Sequence, residues 1–185
     1  LSSSSAASDV YKRQVVLDSK KTVLGAIFEQ EINLHKGVGA RIAIDKEPHP
    51  AYNAGGKDAL INGISGNNKR YGDREWLGFS GEDIEITIEF DKPTNINSIA
   101  TRFFNGNGQW IYPPKKVTVY INNDIRTYVA DVSSTNDLTA KFAVKFESTT
   151  VTSIRLKIPS YGIIPEGKQG AGHKPWTFID EIIIK

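Results

Sequence analysis

The stretch YGDREWLGFSGEDIEITIEF, residues 71–90, decides the fold of this chain. Its second half alternates apolar and polar residues, with the apolar positions at Ile84, Ile86, Ile88 and Phe90. That period is typical of a β-strand with one face on a core and one face in water. Its first half sets aromatics among glycines, and a second aromatic-led run, WTFIDEIIIK at residues 176–185, closes the chain. We expect the two segments to be partners in a β-sandwich.

The rest of the chain repeats short β-like runs and contains no helical stripe. Such runs occur at residues 22–28, 29–34, 40–44, 97–104, 117–121, 127–132, 140–146 and 153–158. No window of helical length places apolar residues at i, i+3 and i+4. Short strands at this spacing, separated by turn residues, are typical of all-β sandwiches. The sequence therefore predicts an all-β, antiparallel β-sandwich.

Composition limits the classes of partner. The chain has 185 residues, with 23 Lys and Arg against 21 Asp and Glu, for a formal net charge of +2. The two signs are mixed, whereas nucleic-acid binding favours a basic stripe. There is no cysteine, so disulfides and thiolate metal sites are excluded. No apolar run reaches the length of a membrane span. We expect neither nucleic acid nor a membrane as a partner.

Residues 1–14 stand apart from the rest of the sequence. A Ser/Ala tract leads into DVYKRQ, which resembles a translated sequencing-library adapter. We predict that residues 1–14 are a disordered cloning artefact outside the fold; an ordinary disordered linker is the alternative. Residues 15–34 carry two short β-like runs that are too short to close a core of their own.

Two connections differ from the others, at residues 105–114 (NGNGQWIYPP) and 160–175 (SYGIIPEGKQGAGHKP). Long loops without secondary structure are usually functional or disordered, and aromatic residues argue against disorder. A sugar site needs an aromatic face for the pyranose ring and fixed polar groups. The candidate ligand-binding residues are Asn105, Asn107, Gln109, Trp110, Tyr112, Tyr161 and His173. For His173, a bond to a ligand and a bond to water are equal alternatives. Trp76 and Trp176 directly precede β-like runs, so we expect them in the core.

Several short motifs occur in the order found in a known family. They are Gly55-Gly56, ALING at 59–63, WLGF at 76–79, Trp110-Ile111, Arg155, Gly172-His173 and WTFIDEI at 176–182. Together they resemble the discoidin-like (coagulation factor 5/8 type C, galactose-binding-like) domain at the C-terminus of bacterial family 20 β-N-acetylhexosaminidases. The resemblance implies a jelly-roll sandwich over residues 35–185. Residues 15–34 would be the last strands of a small β-domain that precedes it.

The resemblance also implies a function. The chain would be a non-catalytic accessory domain of an exported enzyme that is secreted, periplasmic or held at the cell surface. It would bind glycans carrying N-acetylglucosamine or galactose weakly at a rim of loops, and its intramolecular partner would be the catalytic domain of the parent enzyme. A purely structural domain that buttresses the catalytic barrel is the alternative.

Catalysis by this chain is disfavoured. Asp180-Glu181 resembles the adjacent Asp-Glu pair that such hexosaminidases use in catalysis. We predict that the pair lies in a strand, where neighbouring side chains point to opposite faces. The chain is also too short to supply the catalytic barrel. A structural role is expected for both carboxylates, or a metal ligand in the case of Glu181.

A structural calcium ion is a further expectation. Calcium takes about six to eight oxygen ligands, many of them carbonyls of glycine-permitted turns. The loop at 53–66 offers such carbonyls together with Asp58 and Asn62, and resembling domains often place a Glu from the last strand nearby, here Glu181. Asn62 stands where the family usually has Asp, which weakens the case. A hydrogen-bonded loop clasp without metal is the alternative. His35 and His49 have no zinc-ligand spacing.

Overall fold

The computed structural model describes residues 10–14, 28–53, 55–123, 125–133 and 137–185. The strands in these residues are β1 Val10–Gln14, β2 Phe28–Ile32, β3 Arg41–Ile44, β4 Leu77–Ser80, β5 Ile84–Phe104, β6 Lys116–Ile121, β7 Arg126–Asp131, β8 Thr139–Ile158, β9 Trp176–Ile179 and β10 Ile183–Ile184. Short 3-10 turns at Pro50–Tyr52, Lys57–Ile61 and Asn107–Gln109 are the helical elements of the described part. None of these turns has the length or the apolar character to cross a bilayer. The predicted all-β class is confirmed.

Two long strands form the frame of the sandwich. β5 and β8 pair antiparallel from Ile84 with Ile158 to Phe104 with Thr139. The register shifts between Glu89 and Thr94 and again between Ile96 and Ser98, and such bulges bend a strand. The sequence pattern predicted separate strands at 84–90 and 97–104, and likewise at 140–146 and 153–158. The structure joins each pair into one strand, because the backbone stays extended through the bulges although the alternation stops there.

The remaining strands add to either half of this frame. The strand order is β4-β9-β5-β8-β6-β7, with β3 and β10 also paired to β5. β3 and β6 extend the half that contains Ile84 and Ile158, and β7 follows β6. β9 and β10 extend the half that contains Phe104, and β4 follows β9. Apolar side chains of both halves meet in one core.

The stretch at residues 71–90 packs as its sequence pattern predicts. Ile84, Ile86 and Ile88 are at most 1% exposed, and burial of each such side chain contributes about 1.5–3 kcal/mol. β4 pairs with β9, so the expected partnership between the two aromatic-led segments is confirmed. Trp76 is fully buried beside Phe104, while Trp176 is half-buried against the same aromatic cluster.

The N-terminal segment forms a separate two-stranded sheet in which β1 pairs with β2. We expected disorder throughout residues 1–14, but residues 10–14 form a strand because a second extended segment supplies backbone partners. Residues 1–9 and 15–27, which contain most of the predicted run at 22–28, lie outside the described residues. The artefact at 1–14 and the domain boundary near residue 34 stay predictions.

Just after β2, the backbone amide of Asn33 donates to the Gly63 carbonyl at 2.7 Å.

Candidate functional site

The two unusual loops meet around a cleft of about 570 Å³. We call it the Tyr161 cleft; it is lined by Asn105, Asn107, Tyr112, Pro113, Pro114, Lys115, Val132, Asp137, Tyr161 and Lys168. Four of the seven predicted ligand-binding residues are among them, namely Asn105, Asn107, Tyr112 and Tyr161. The cleft thus brings aromatic side chains of both loops together with amide side chains of the first loop, as a sugar site requires.

Backbone hydrogen bonds fix the first loop to the sandwich. The Trp176 amide donates to the Trp110 carbonyl at 2.8 Å, and the Tyr112 amide donates to the Trp176 carbonyl at 3.0 Å. This short parallel bridge anchors the loop to the start of β9. Two prolines follow at 113 and 114, and their fixed φ stiffens the exit of the loop. The backbone position of Tyr112 is therefore fixed.

A side-chain bond connects the first loop to the second. The Tyr112 hydroxyl donates to the Gln169 carbonyl at 2.9 Å. The second loop is itself closed, because the amides of Ile164 and Gly172 donate to the carbonyls of His173 and Ile164. Since both loops carry their own backbone bonds, the Tyr161 cleft has preformed walls.

The floor and one wall of the cleft are aromatic. Tyr112 is 2% exposed, whereas Tyr161 is half-buried. Their ring centroids lie 5.1 Å apart with an interplanar angle of 36°. Because the Tyr112 hydroxyl is already bonded to the backbone, Tyr112 serves as a floor, and Tyr161 is the ring that a ligand can reach.

Two lysine side chains lie beside Tyr161. Lys168 Nζ donates to the Tyr161 hydroxyl at 2.9 Å and lies 5.3 Å from the Tyr161 ring centroid. Lys115 Nζ lies 5.0 Å from that centroid. The hydrogen bond with Tyr161 raises the pKa of Lys168, so this side chain stays cationic. Asp137 is the acidic residue among the cleft's lining.

These three charged residues were not predicted as site residues. The two lysines adjoin or lie within the predicted loops: Lys115 follows the two prolines that end the first loop, and Lys168 lies in the second loop. Their convergence depends on how the loops fold against each other, and no spacing in the sequence reports it.

Trp110, Gln109 and His173 lie outside the lining of the Tyr161 cleft. The rings of Trp110 and His173 stack with centroids 4.7 Å apart and an interplanar angle of 19°. Trp110 is 40% exposed, and Gly170 lies so close that a Cβ there would come within 2.7 Å of the indole. His173 thus covers part of one face of the Trp110 indole, which leaves less of that candidate ring open to a sugar.

The Asp180-Glu181 pair does not lie in a strand, which corrects our prediction; it connects β9 to β10. Both residues are at most 1% exposed. Asp180 accepts hydrogen bonds from the Arg102 guanidinium and from the Gly66 amide at 2.9 Å. Burial raises the pKa of Asp180 to about 7, and the Arg102 charge opposes this rise.

Glu181 lies in a different set of donors. It accepts from His35 Nε2 at 2.5 Å, from the Gly63 amide at 3.0 Å and from the Ile64 amide at 3.1 Å. The Gly37 amide donates to His35 Nδ1, so the histidine proton resides on Nε2 and points at Glu181. Burial raises the pKa of this carboxyl as well. Both carboxylates bond to the protein interior, which fits the expected structural role.

Two of the three proposed calcium ligands lie close together, since Asn62 Oδ1 and a Glu181 oxygen both accept from the Ile64 amide. Asp58 is exposed, and Asn62 Oδ1 accepts from the Ile64 amide at 2.8 Å while its Nδ2 donates to Glu75. The oxygens of Glu181 accept N–H groups. Among the described residues, no three His, Cys, Asp or Glu side chains are grouped to hold a metal ion. The N–H and amide partners of Asn62 and Glu181 are those that the metal-free clasp requires. Calcium binding by this loop stays a prediction.

A second cleft, of about 380 Å³, lies on the outer face of the sheet formed by β3, β5, β6 and β8. Its aromatic residues are Phe90 and Tyr120, and the Arg155 guanidinium lies 4.3 Å from the Tyr120 ring. Arg155 also bonds to Glu85 at 2.9 Å. The Tyr120 ring is thus covered by a cation that already has an anionic partner.

No family model and no curated protein matches this chain by sequence. Among solved structures, the lectin domain of lectinolysin complexed with Lewis B antigen aligns with a TM-score of 0.53 at 12% identity, over 82% of this chain and 98% of that one. A Streptococcus pneumoniae fucose binding module aligns with a TM-score of 0.53 at 10% identity, over 82% and 94%.

A Ruminococcus gnavus GH29 fucosidase in complex with fucose aligns with a TM-score of 0.46 at 14% identity. The alignment covers 79% of this chain and 25% of the fucosidase, so this chain spans about a quarter of that enzyme's length. Such identities establish architecture alone. The chain has the galactose-binding-like β-sandwich fold that the lectinolysin lectin domain and the pneumococcal module share.

Proposed function

We propose that this chain is a non-catalytic, carbohydrate-binding accessory domain from the C-terminus of a secreted bacterial family 20 β-N-acetylhexosaminidase. The observation that carries the proposal is the Tyr161 cleft, in which two loops place paired tyrosines beside Asn105 and Asn107. The aromatic ring offers the apolar contact and the amides offer the directional bonds that sugar recognition needs.

The ligand would stack on Tyr161, with its hydroxyls facing the asparagine side of the cleft. One stacked ring and a few solvent-exposed hydrogen bonds give weak binding, with a Kd between high micromolar and millimolar, or roughly −4 to −6 kcal/mol. Attachment to a catalytic domain makes such binding useful, because the effective concentration of the second site rises.

The expected ligands are glycans carrying N-acetylglucosamine or galactose, and the expected intramolecular partner is the parent's catalytic domain. The structural neighbours support the ligand class, since one is complexed with Lewis B antigen and another is a fucose binding module. The sugar and the parent enzyme rest on the motif resemblance.

A structural domain that buttresses the catalytic barrel is the second candidate. It is favoured by exposed apolar side chains around β7, where Ile125 is 78% exposed and Val129 is 58% exposed. A neighbouring domain packed there would bury both side chains. This candidate requires no ligand in the Tyr161 cleft.

Glycan-array binding by three variants tests the proposal. Tyr161→Ala is expected to weaken binding about tenfold or more, which is about 1.4 kcal/mol. Trp110→Ala tests the stacked pair outside the cleft, and we expect a smaller loss. Tyr128→Ala, which removes a ring stacked on Phe146 at 4.7 Å, is the control and should bind normally.

Urea unfolding of each variant separates binding from folding. Absence of wild-type binding to any glycan, or unchanged binding by folded Tyr161→Ala, would contradict the proposal. If Trp110→Ala unfolds the domain, that ring is part of the structure, and the buttressing function gains support.

A further inference from the structure

In the described residues, cationic side chains lie near aromatic rings at three places. The three places differ in whether a carboxylate is paired with the cation. Arg102 lies near Trp76 and is paired with Asp180. Arg155 lies over Tyr120 and is paired with Glu85 at 2.9 Å. Lys115 and Lys168 both lie within 5.3 Å of the Tyr161 centroid.

No carboxylate in the described part of the chain lies within ion-pair distance of either lysine. Both lysines are exposed, so hydration compensates for the missing anion in the free protein. With Asp137 as the one acid in the lining, the cleft carries two cationic groups against one anionic group.

We propose that the Tyr161 cleft selects glycans that carry a carboxylate, which Lys115 and Lys168 bind while Tyr161 holds the sugar ring. The inference rests on the proposed function and specifies its ligand class. A carboxylate on the stacked sugar would supply the anion that these two lysines lack.

The arrangement leaves the lysines able to bind. Lys168 gives one of its three N–H donors to the Tyr161 hydroxyl at 2.9 Å. A contact with the face of a ring uses no donor, so the Lys115 ammonium keeps its donors while the ring biases its position. Both lysines therefore keep N–H donors for a carboxylate of the ligand.

Two sources share this chemistry, uronates and sialates, since each carries a carboxylate on a pyranose ring. Matched pairs separate them by titration calorimetry. Oligogalacturonate is compared with its methyl ester, and sialyl-N-acetyllactosamine is compared with N-acetyllactosamine. We expect the acidic member of one pair to bind about fivefold more tightly, which is about 1 kcal/mol. Preference within the first pair identifies uronates, and preference within the second identifies sialates.

Charge-removing variants test the lysines directly. Lys168→Met and Lys115→Met keep the alkyl stem, and each is expected to reduce the acidic preference at least about twofold. Lys116→Met is the matched control, since Lys116 is exposed on β6 and lies outside the cleft lining. The preference should also fall between 0.1 M and 1 M salt, as the Debye length drops from about 10 Å to about 3 Å.

The outcomes are distinguishable. Equal affinity for both members of each pair would overturn the acidic selection and leave the carbohydrate-binding function intact. A preference that survives both lysine variants would overturn the assignment to these side chains. No binding of acidic or neutral glycans would overturn the proposed function, and this inference with it.

Discussion

The carboxylates of Asp180 and Glu181 and the ammonium groups of Lys115 and Lys168 have opposite surroundings. The two carboxylates form a buried clasp, wider than the loop clasp around Asn62, with the groups that donate to them from His35, Gly63, Ile64, Gly66 and Arg102. Both its acids are buried. The lysines of the Tyr161 cleft are exposed and lack an anionic partner among the described residues.

The difference separates two uses of charge in one small domain. A buried carboxylate must have its donors inside the protein, because an unpaired buried charge is strongly destabilising. An exposed ammonium can remain hydrated until a ligand arrives. The clasp should therefore control stability, and the cleft should control binding. Four experiments measure how much the clasp and the loops contribute to stability.

Arg102→Met should have the largest effect. At pH 8 it leaves the Asp180 carboxylate buried without its cation, and we expect a loss of about 3–5 kcal/mol in the free energy of unfolding. Arg41→Met is the matched control, since Arg41 is 67% exposed in its pairs with Glu89 and Asp91. Its loss should stay below about 1 kcal/mol. Equal losses in urea denaturation would contradict the special role of the clasp.

Stability should fall as the pH rises from about 4 to about 7. Burial raises the pKa of Asp180 to about 7 in the folded protein, so the folded state retains a proton that the unfolded chain has released. That proton uptake favours folding at low pH and is lost as Asp180 ionises. The raised pKa of Glu181 acts in the same direction. The expected decrease is on the order of a few kcal/mol.

Urea midpoints measured between pH 4 and 8 test this slope. Asp180→Asn should flatten it, because the variant has no proton to lose at that position. A stability that increases with pH in wild type and not in Asp180→Asn would show that the Arg102 charge outweighs burial.

Gly170→Ala should destabilise the rim moderately. Gly170 has φ +83°, and a Cβ there would approach the Trp110 indole to 2.7 Å. Gly172 has the same φ, with nothing within 4 Å of an added Cβ, so Gly172→Ala isolates the backbone strain. We expect about 1 kcal/mol for Gly172→Ala and about 2 kcal/mol for Gly170→Ala. Indole fluorescence should shift only in Gly170→Ala; a shift in both variants would show that the backbone alone moves Trp110.

Chelation should have the smallest effect. Because Asn62 and Glu181 are satisfied by N–H and amide groups, removal of divalent ions should change the Tm by less than about 1 °C. A calcium ion at this loop would instead stabilise by about 1–4 kcal/mol at concentrations well above its Kd. A drop of several degrees in chelator, reversed by added calcium, would support the calcium prediction and contradict the metal-free clasp.

The fold was predictable where the pattern is local. The alternation from Ile84 to Phe90 indicates the buried face directly, and the two aromatic-led segments pair with each other through β4 and β9. The continuity of β5 was not predictable, because Pro93 and the register shifts interrupt the alternation while the backbone continues extended. A bulge is set by the partner strand, which the local sequence does not contain.

The candidate site was predictable in part. Glycine, proline and aromatic content identified the two loops, and four of the proposed residues line the cleft. The lysines at Tyr161 and the bond between His35 and Glu181 join positions far apart in the chain. A single sequence reports the residue types and leaves such distant pairings open.

The continuous pairing of β5 with β8 also sets the order in which the domain can assemble. Phe104 and Thr139 are the partners closest in sequence, and Ile84 and Ile158 are the most distant. Closing the shorter loop costs less chain entropy, so pairing should start at the Phe104 end and advance through the bulges. Because β5 and β8 run through both halves of the sandwich, neither half can open alone without breaking strands of the other half. Amide protons in the two halves of β5 should therefore exchange with solvent through one shared global opening.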